Sequence, residues 1–348
     1  QLLSPRLAIR KRAICARGHL VCCSTHDQFV SLIRHLLQQL KRPPPTAKSE
    51  DTKTYIQCLT VLTRHPSRTS EYVHEIQPLF MACANNDDDE IRDFVLQGLE
   101  TLVKRCPRQM SGFLPQMIPL LLKFLQHDPN YHYGDDEFDE DKMDLDDEEE
   151  EGEEDEDYSD DDDIAWKVRR SAAKCLEACI LTYPDRLLDF YHSVANILIK
   201  RFIEREETVK LEIFAAFQAL LKQTATVLAR SPSFQKDALS LLENPNSALS
   251  QLNNLIPHLV KSLPKHARSK SLQVRAGCFS VFREVASTLP HAFQNHIDIL
   301  MPLISFSMND KQSNNNLKVE TLAFLVLLLS THLPDCFTPH INELINIA

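Results

Sequence analysis

The sequence predicts an all-α protein, built as a superhelix of stacked helix pairs and interrupted by an acidic insert. Three observations support this fold class. A short helical pattern recurs along the 348 residues, the chain contains only 6 glycines, and 22 of the 29 residues from 135 to 163 are acidic. Nucleotide-binding α/β enzymes need glycine for phosphate loops and tight turns, so the low glycine content disfavours that class.

The recurring pattern is a basic residue followed by a helix rich in alanine, cysteine, leucine and phenylalanine. Successive basic residues are separated by 43, 39, 77, 41, 65 and 43 residues. Four of these spacings match the period of about 40–47 residues that is typical of HEAT and armadillo repeats. The two long spacings indicate a repeat that carries an insert. We call the basic residues the marker residues: Arg10, Lys53, Arg92, Arg169, Lys210, Arg275 and Lys318.

A second apolar helix recurs between the marker helices, so each repeat is predicted to be an antiparallel helix pair. One pair alone cannot bury its apolar face, and neighbouring pairs must therefore stack into a superhelix. The sequence predicts HEAT repeats at 1–127, a disordered acidic insert at 128–163, and further repeats at 164–348 with a polar loop at 225–250. The second helices are expected to begin near Phe29, Tyr72, Phe113, Phe190, Leu255, His296 and His340.

The helix after the acidic insert has a clear apolar face. Asp162 and Asp163 precede its first turn, where an acidic side chain can cap the helix and interact with its dipole. The rest of the insert is too highly charged and too poor in apolar residues to fold alone. The predicted apolar face is Ile164, Val168, Ala172, Cys175, Leu176 and Cys179, and the opposite face carries Lys167, Arg170 and Lys174.

Signatures of catalysis are missing from the sequence. It contains no phosphate-binding loop, zinc-protease motif or serine-hydrolase motif, so we expect no enzyme, no catalytic residue and no cofactor. The ten cysteines include no Cys-x-x-Cys pair, which favours reduced thiols in the cytoplasm or nucleus. Cys22, Cys23 and His26 have ligand-like spacing but lack a second pair, so no metal site is predicted. Ser159 precedes four aspartates and is a candidate phosphorylation site.

The charge distribution points to a protein partner. Outside the insert there are 37 basic and 27 acidic residues, so the folded part is basic. A superhelix binds through a long surface, and a basic surface favours an acidic partner. The candidate partner-binding residues are Lys200, Arg201 and Arg205 near the end of one second helix, and Lys261 and Lys265 near the end of another. We expect no membrane segment, no direct nucleic-acid binding and no obligate homo-oligomer.

Specific segments resemble a known family. These include "YSDDDDIAWKVRR" from Tyr158, "RFIEREETVK" from Arg201 and "FSMNDKQSNNNLK" from Phe306. They are similar to the amino-terminal region of cullin-associated and neddylation-dissociated proteins, and the resemblance spans the chain in order, insert included. It implies a HEAT-repeat regulator in the cytoplasm and nucleus that binds unmodified cullin and its RING subunit. It also implies that the regulator promotes exchange of substrate-receptor modules.

Two other functions remain open on the sequence. A karyopherin-like nuclear transport carrier is also a HEAT superhelix and can hold an acidic loop; binding to the GTP form of the transport GTPase would identify it. A phosphatase-type scaffold is disfavoured by the insert and would be identified by captured phosphatase subunits.

Overall fold

The computed structural model describes residues 2–41, 48–128, 164–229 and 242–347. These ranges contain helices and turns but no strand. The odd-numbered helices carry the marker residues: α1 (Leu7–Leu20), α3 (Ser49–Thr63), α5 (Asp89–Arg105), α7 (Ala165–Thr182), α9 (Glu207–Ala229), α11 (Leu272–Thr288) and α13 (Asn315–Thr331). The even-numbered helices alternate with them: α2 (His26–Leu40), α4 (Val73–Cys83), α6 (Leu114–Leu125), α8 (187–200, with a π-helical segment at Tyr191–Ala195), α10 (Ala248–Ala267), α12 (Ile297–Asn309) and α14 (Ile341–Ile347).

The predicted fold class is confirmed in these ranges. Each marker residue lies in the first turns of an odd helix, and each predicted second helix corresponds to an even helix. The apolar face predicted for α7 is confirmed for five of its six residues, since Val168, Ala172, Cys175, Leu176 and Cys179 are fully buried. The sixth, Ile164, precedes the helix and is partly exposed.

The boundaries of the predicted polar loop at 225–250 were wrong at both ends. Helix α9 continues to Ala229, and α10 already begins at Ala248. The polar Thr226 lies within the helix, and its hydroxyl donates to the Lys222 carbonyl at 2.7 Å. The nearby Leu228 is buried and anchors the extension.

The acidic insert falls almost entirely outside the described residues. Ser159, Asp162 and Asp163 lie in the undescribed range 129–163, and so does the predicted cap. Helix α7 begins at Ala165, and the residue before it, Ile164, makes no side-chain capping hydrogen bond. Helices α6 and α7, on either side of the insert, pack directly against each other. The fold therefore continues across the insert as one stack.

The odd and even helices form two layers with different packing. Each odd helix packs closely along the next odd helix, whereas contacts between successive even helices are sparse. In a curved stack the inner helices lie closer together than the outer ones, so the odd layer forms the inner side. The even helices also contain internal prolines, which bend helices: Pro78, Pro119, Pro257, Pro264 and Pro302.

Several of the marker residues join neighbouring repeats. Lys53 of α3 pairs at 3.0 Å with Asp88, in the turn before α5. Arg275 of α11 pairs at 2.7 Å with Asp310, in the turn before α13. Burial disfavours the charge on Lys53, but the hydrogen bonds that its ammonium donates to Glu90 and Asp88 outweigh this effect and raise its pKa. The recurring basic residue is thus a structural link between one repeat and the next.

The most buried of these links lies beside the acidic insert. The guanidinium of Arg169 is fully buried and donates to both carboxylate oxygens of Glu204, at 3.1 and 3.3 Å. It also donates to the His127 carbonyl at 3.0 Å and lies 3.7 Å from Asp128. The link therefore connects α7, the end of α6 and the turn before α9 at the point where the insert leaves the stack.

Candidate partner-binding surfaces

The basic residues predicted from the sequence occupy two neighbouring even helices. Lys200 ends α8 and Arg205 follows it, while Lys261 and Lys265 lie in the last turns of α10. These four residues are exposed. Helices α8 and α10 contact each other, so the structure places the two groups on adjacent repeats of the even layer.

Arg201 requires a correction, because it does not belong to the exposed basic surface. Its relative exposure is 5%, and its guanidinium forms an ion pair with the fully buried Glu204. A buried carboxylate needs such a partner to offset its loss of hydration. Arg201 therefore supports the fold at this turn, and reversing its charge would damage the structure that presents Lys200.

Arg205 serves both the fold and the surface. It donates to the Asp128 carboxylate at 2.9 and 3.1 Å, although half of its side chain is exposed. The Asp128 side chain is itself fully buried. Arg205 thus covers the start of the acidic insert while its outer side faces solvent.

His266 adds no positive charge to this region at neutral pH. Burial, together with the charges of Lys210 and Lys265, lowers the pKa of His266 to about 4. Its ring instead packs edge-on against Phe214, with the ring centroids 6.0 Å apart. The basic surface at the end of α10 therefore consists of its lysines and Arg268.

A second candidate surface lies on the inner, odd layer and was missed in the sequence. A polar groove of about 370 Å³ crosses α3, α5 and α7. Its walls include Arg64, Asp93, Trp166, Lys167 and Arg170. We call this surface the inner groove. Its residues are separated by more than a hundred positions along the chain, and only the stacking of three repeats brings them together.

The charges in the inner groove are held in place by neighbouring repeats. Arg170 and Lys174 both pair at 3.3 Å with Glu212 of α9. Asp93 accepts a hydrogen bond from Ser171 at 2.5 Å. The ammonium of Lys167 lies 5.6 Å from the centre of the Trp166 ring, within the range of a cation–π contact. The groove presents an ordered array of both charges and one aromatic ring.

The described ranges lack two other kinds of site. They contain no group of three or more His, Cys, Asp or Glu side chains placed to hold a metal ion. No helix in these ranges is long and apolar enough to span a bilayer. The arrangement defines a helical-repeat protein that presents extended surfaces.

Comparisons with known proteins show what the chain is similar to. Residues 291–348 match the family model "CAND1-like, TPR repeats". The chain is 40% identical to cullin-associated NEDD8-dissociated protein 1 of Drosophila melanogaster, over 100% of this chain and 27% of that protein. It is 40% identical to cullin-associated NEDD8-dissociated protein 2 of Mus musculus. It is 36% identical to cullin-associated NEDD8-dissociated protein 1 of Arabidopsis thaliana. Each match covers 99% of this chain and 28% of the relative. Over nearly its whole length, the chain is therefore similar to proteins named cullin-associated NEDD8-dissociated protein.

The chain spans little more than a quarter of the length of these relatives. Solved structures support the fold. An engineered protein is similar with a TM-score of 0.56 and 12% identity, over 85% of this chain and 98% of its own. A designed armadillo repeat protein is similar with a TM-score of 0.52 and 12% identity, over 84% of this chain and 98% of the designed protein. At such low identity the likeness shows a shared solenoid architecture and nothing further.

Proposed function

We propose that this chain is a non-enzymatic scaffold that binds the unmodified cullin–RING core of ubiquitin ligases and promotes exchange of substrate-receptor modules. The observation that carries the proposal is 34–40% identity, over nearly the whole chain, with proteins named cullin-associated and NEDD8-dissociated. The partners are a cullin and its RING subunit, in the cytoplasm and nucleus.

The inner groove and the exposed basic residues of α8 and α10 are the surfaces proposed for this contact. A superhelix binds through area, and its inner face can surround a partner. The inner groove offers both charges and an aromatic ring, which suits a mixed protein surface. The lysines of α8 and α10 lie in the other layer and would contact an acidic extension of the partner.

The proposal includes a preference for cullin without NEDD8. The relatives carry that dissociation in their name. We expect the same of this chain because a scaffold that surrounds the modified region would collide with an attached NEDD8. Exchange follows if the scaffold and the substrate-receptor module cannot occupy the cullin together.

Calorimetric titration of the chain with purified unmodified cullin–RING complex tests the proposal and locates the surface. One variant, Lys200→Glu with Lys265→Glu, changes the even layer and leaves Arg201 and Arg205 in their ion pairs. A second, Arg64→Glu with Lys167→Glu, changes the inner groove. We expect binding to weaken about 2- to 10-fold in the variant that touches the contact, since exposed pairs contribute roughly 0.2–1 kcal/mol each.

Lys11→Glu with Arg12→Glu is the control, because it makes the same charge change on exposed residues of α1. Binding should also weaken as salt rises above about 0.1 M, where charges more than ~10 Å apart are screened. Equal affinity for NEDD8-modified and unmodified cullin would contradict the proposal. Binding of the transport GTPase without cullin would favour the nuclear transport carrier.

A further inference from the structure

The first two repeats meet at a cysteine and a histidine that the partner surfaces do not use. Cys22 lies in the short turn Val21–Cys23 between α1 and α2, and its thiol is exposed. His65 lies at the end of α3, 43 residues later. The Cys22 Sγ is 3.6 Å from the His65 Nδ1, within hydrogen-bond distance for sulfur.

The hydrogen bonds of His65 determine which nitrogen faces the thiol. Its Nε2 lies 3.0 Å from the carbonyl oxygen of Gly18. A carbonyl oxygen can only accept, so Nε2 carries the hydrogen and Nδ1 presents its lone pair to Cys22. The imidazole is therefore oriented to take the proton of the thiol. A nucleophile, a base and a group that orients the base are the elements of an activated thiol.

The surrounding turn is held rigidly and carries positive charge. Arg68 donates to the Val21 carbonyl at 2.7 Å, and to the carbonyl and hydroxyl oxygens of Ser24 at 2.7 Å each. Its guanidinium is thereby fixed against the turn that contains Cys22.

The other nine cysteines provide internal comparisons. Cys58, Cys106, Cys175, Cys179 and Cys278 are buried, and burial raises the pKa of Cys58 to about 11. Cys83 and Cys336 are half-buried, with pKa values raised by the same cause. Cys15 and Cys23 are exposed like Cys22. Among the thiols of the described residues, Cys22 is the one for which a hydrogen bond to an imidazole is seen.

We propose that Cys22 is a peroxide-sensitive thiol activated by His65. His65 takes the thiol proton, and the sulfur attacks one oxygen of a hydroperoxide. The O–O bond breaks, an S–O bond forms, and the leaving oxygen takes the proton from the His65 imidazolium to give water or an alcohol. Sulfur loses two electrons and the peroxide gains them, so the product is the sulfenic acid of Cys22. The oxygen added to the Cys22 sulfur lies at the interface between the repeat of α1 and α2 and the repeat that begins with α3.

Reaction rates of individual cysteines test this inference on the intact chain. We expect Cys22 to be alkylated by iodoacetamide at pH 7 at least ~10-fold faster than Cys15 and Cys23, by quantitative mass spectrometry of peptides. After hydrogen peroxide, dimedone should label Cys22 first. His65→Gln keeps an amide donor for the Gly18 carbonyl but removes the base, so it should lower the Cys22 rate to that of Cys23.

Circular dichroism of the His65→Gln variant separates loss of the base from loss of the fold. If the variant unfolds, the ratio of Cys22 to Cys15 reactivity in the unaltered chain decides the question. A ratio near one would overturn the proposal, and so would an unchanged Cys22 rate in a folded His65→Gln variant. A fast Cys22 that depends on His65 supports it, whichever partner the inner groove binds.

Discussion

Helices α7 and α13 carry equivalent marker residues but differ in their surroundings. Helix α7 packs between α5 and α9 in the odd layer, whereas α13 packs on α11. Arg169 of α7 is fully buried, while its equivalent in α13, Lys318, is half-buried. On the face of α13 turned away from α11, Val319 and Val326 are 61% and 65% exposed. The same repeat pattern therefore yields a core helix or an exposed one, depending on which neighbours cover it.

The difference is most evident for charge. In α7 a guanidinium can be fully buried because Glu204 and the His127 carbonyl, from two other segments, surround it. No carboxylate is seen within ion-pair distance of Lys318 in the described residues. A buried charge is stable only where its partners are also in place, so the stacked middle of the solenoid is more sensitive to loss of one charge than its outermost described repeat.

The largest expected effect is at this buried ion pair. Arg169→Met leaves the Glu204 and Asp128 carboxylates buried with fewer partners, and we expect a loss of about 3–5 kcal/mol in the free energy of unfolding. Lys318→Met makes the same change at the equivalent position of α13 and should alter it by less than about 0.5 kcal/mol. Urea unfolding followed by circular dichroism measures both. Similar losses in the two variants would show that burial does not distinguish the two positions.

A smaller effect is expected at Gly98 of α5, where neighbouring helices pack tightly. A Cβ on Gly98 of α5 would lie 2.4 Å from Phe80 and 2.9 Å from Thr60. Gly98→Ala should therefore destabilise the stack by about 1–3 kcal/mol through overpacking, despite the better helix propensity of alanine. At Gly112, in a turn, a Cβ would meet nothing within 4 Å. Gly112→Ala should be neutral or stabilising by up to ~1 kcal/mol, and a thermal melt of the two variants compares them directly.

The helix pairs could be predicted from the sequence because each repeat contains its own pattern of apolar and basic residues, whereas the choice of the inner layer required the structure. The ion pairs could not, since Arg169 and Glu204 belong to different helices and nothing local shows that they meet. Arg201 looked like a surface residue because its partner Glu204, three positions along, is buried only through contacts with Arg169 of another repeat. The inner groove and the Cys22–His65 pair likewise depend on contacts between repeats.

The smallest expected effect is on the uncovered face of α13. Val326 is 65% exposed, so replacing it with lysine removes little buried apolar area and introduces a slightly better helix former. We expect Val326→Lys to change the free energy of unfolding by less than about 0.5 kcal/mol. Leu328, two positions along, is fully buried and serves as the control, because Leu328→Ala should cost about 2–5 kcal/mol. A loss above about 1 kcal/mol for Val326→Lys would mean that this face is covered in solution. Repeating the urea titration at several protein concentrations would then distinguish cover by a second copy, which depends on concentration, from cover within one chain.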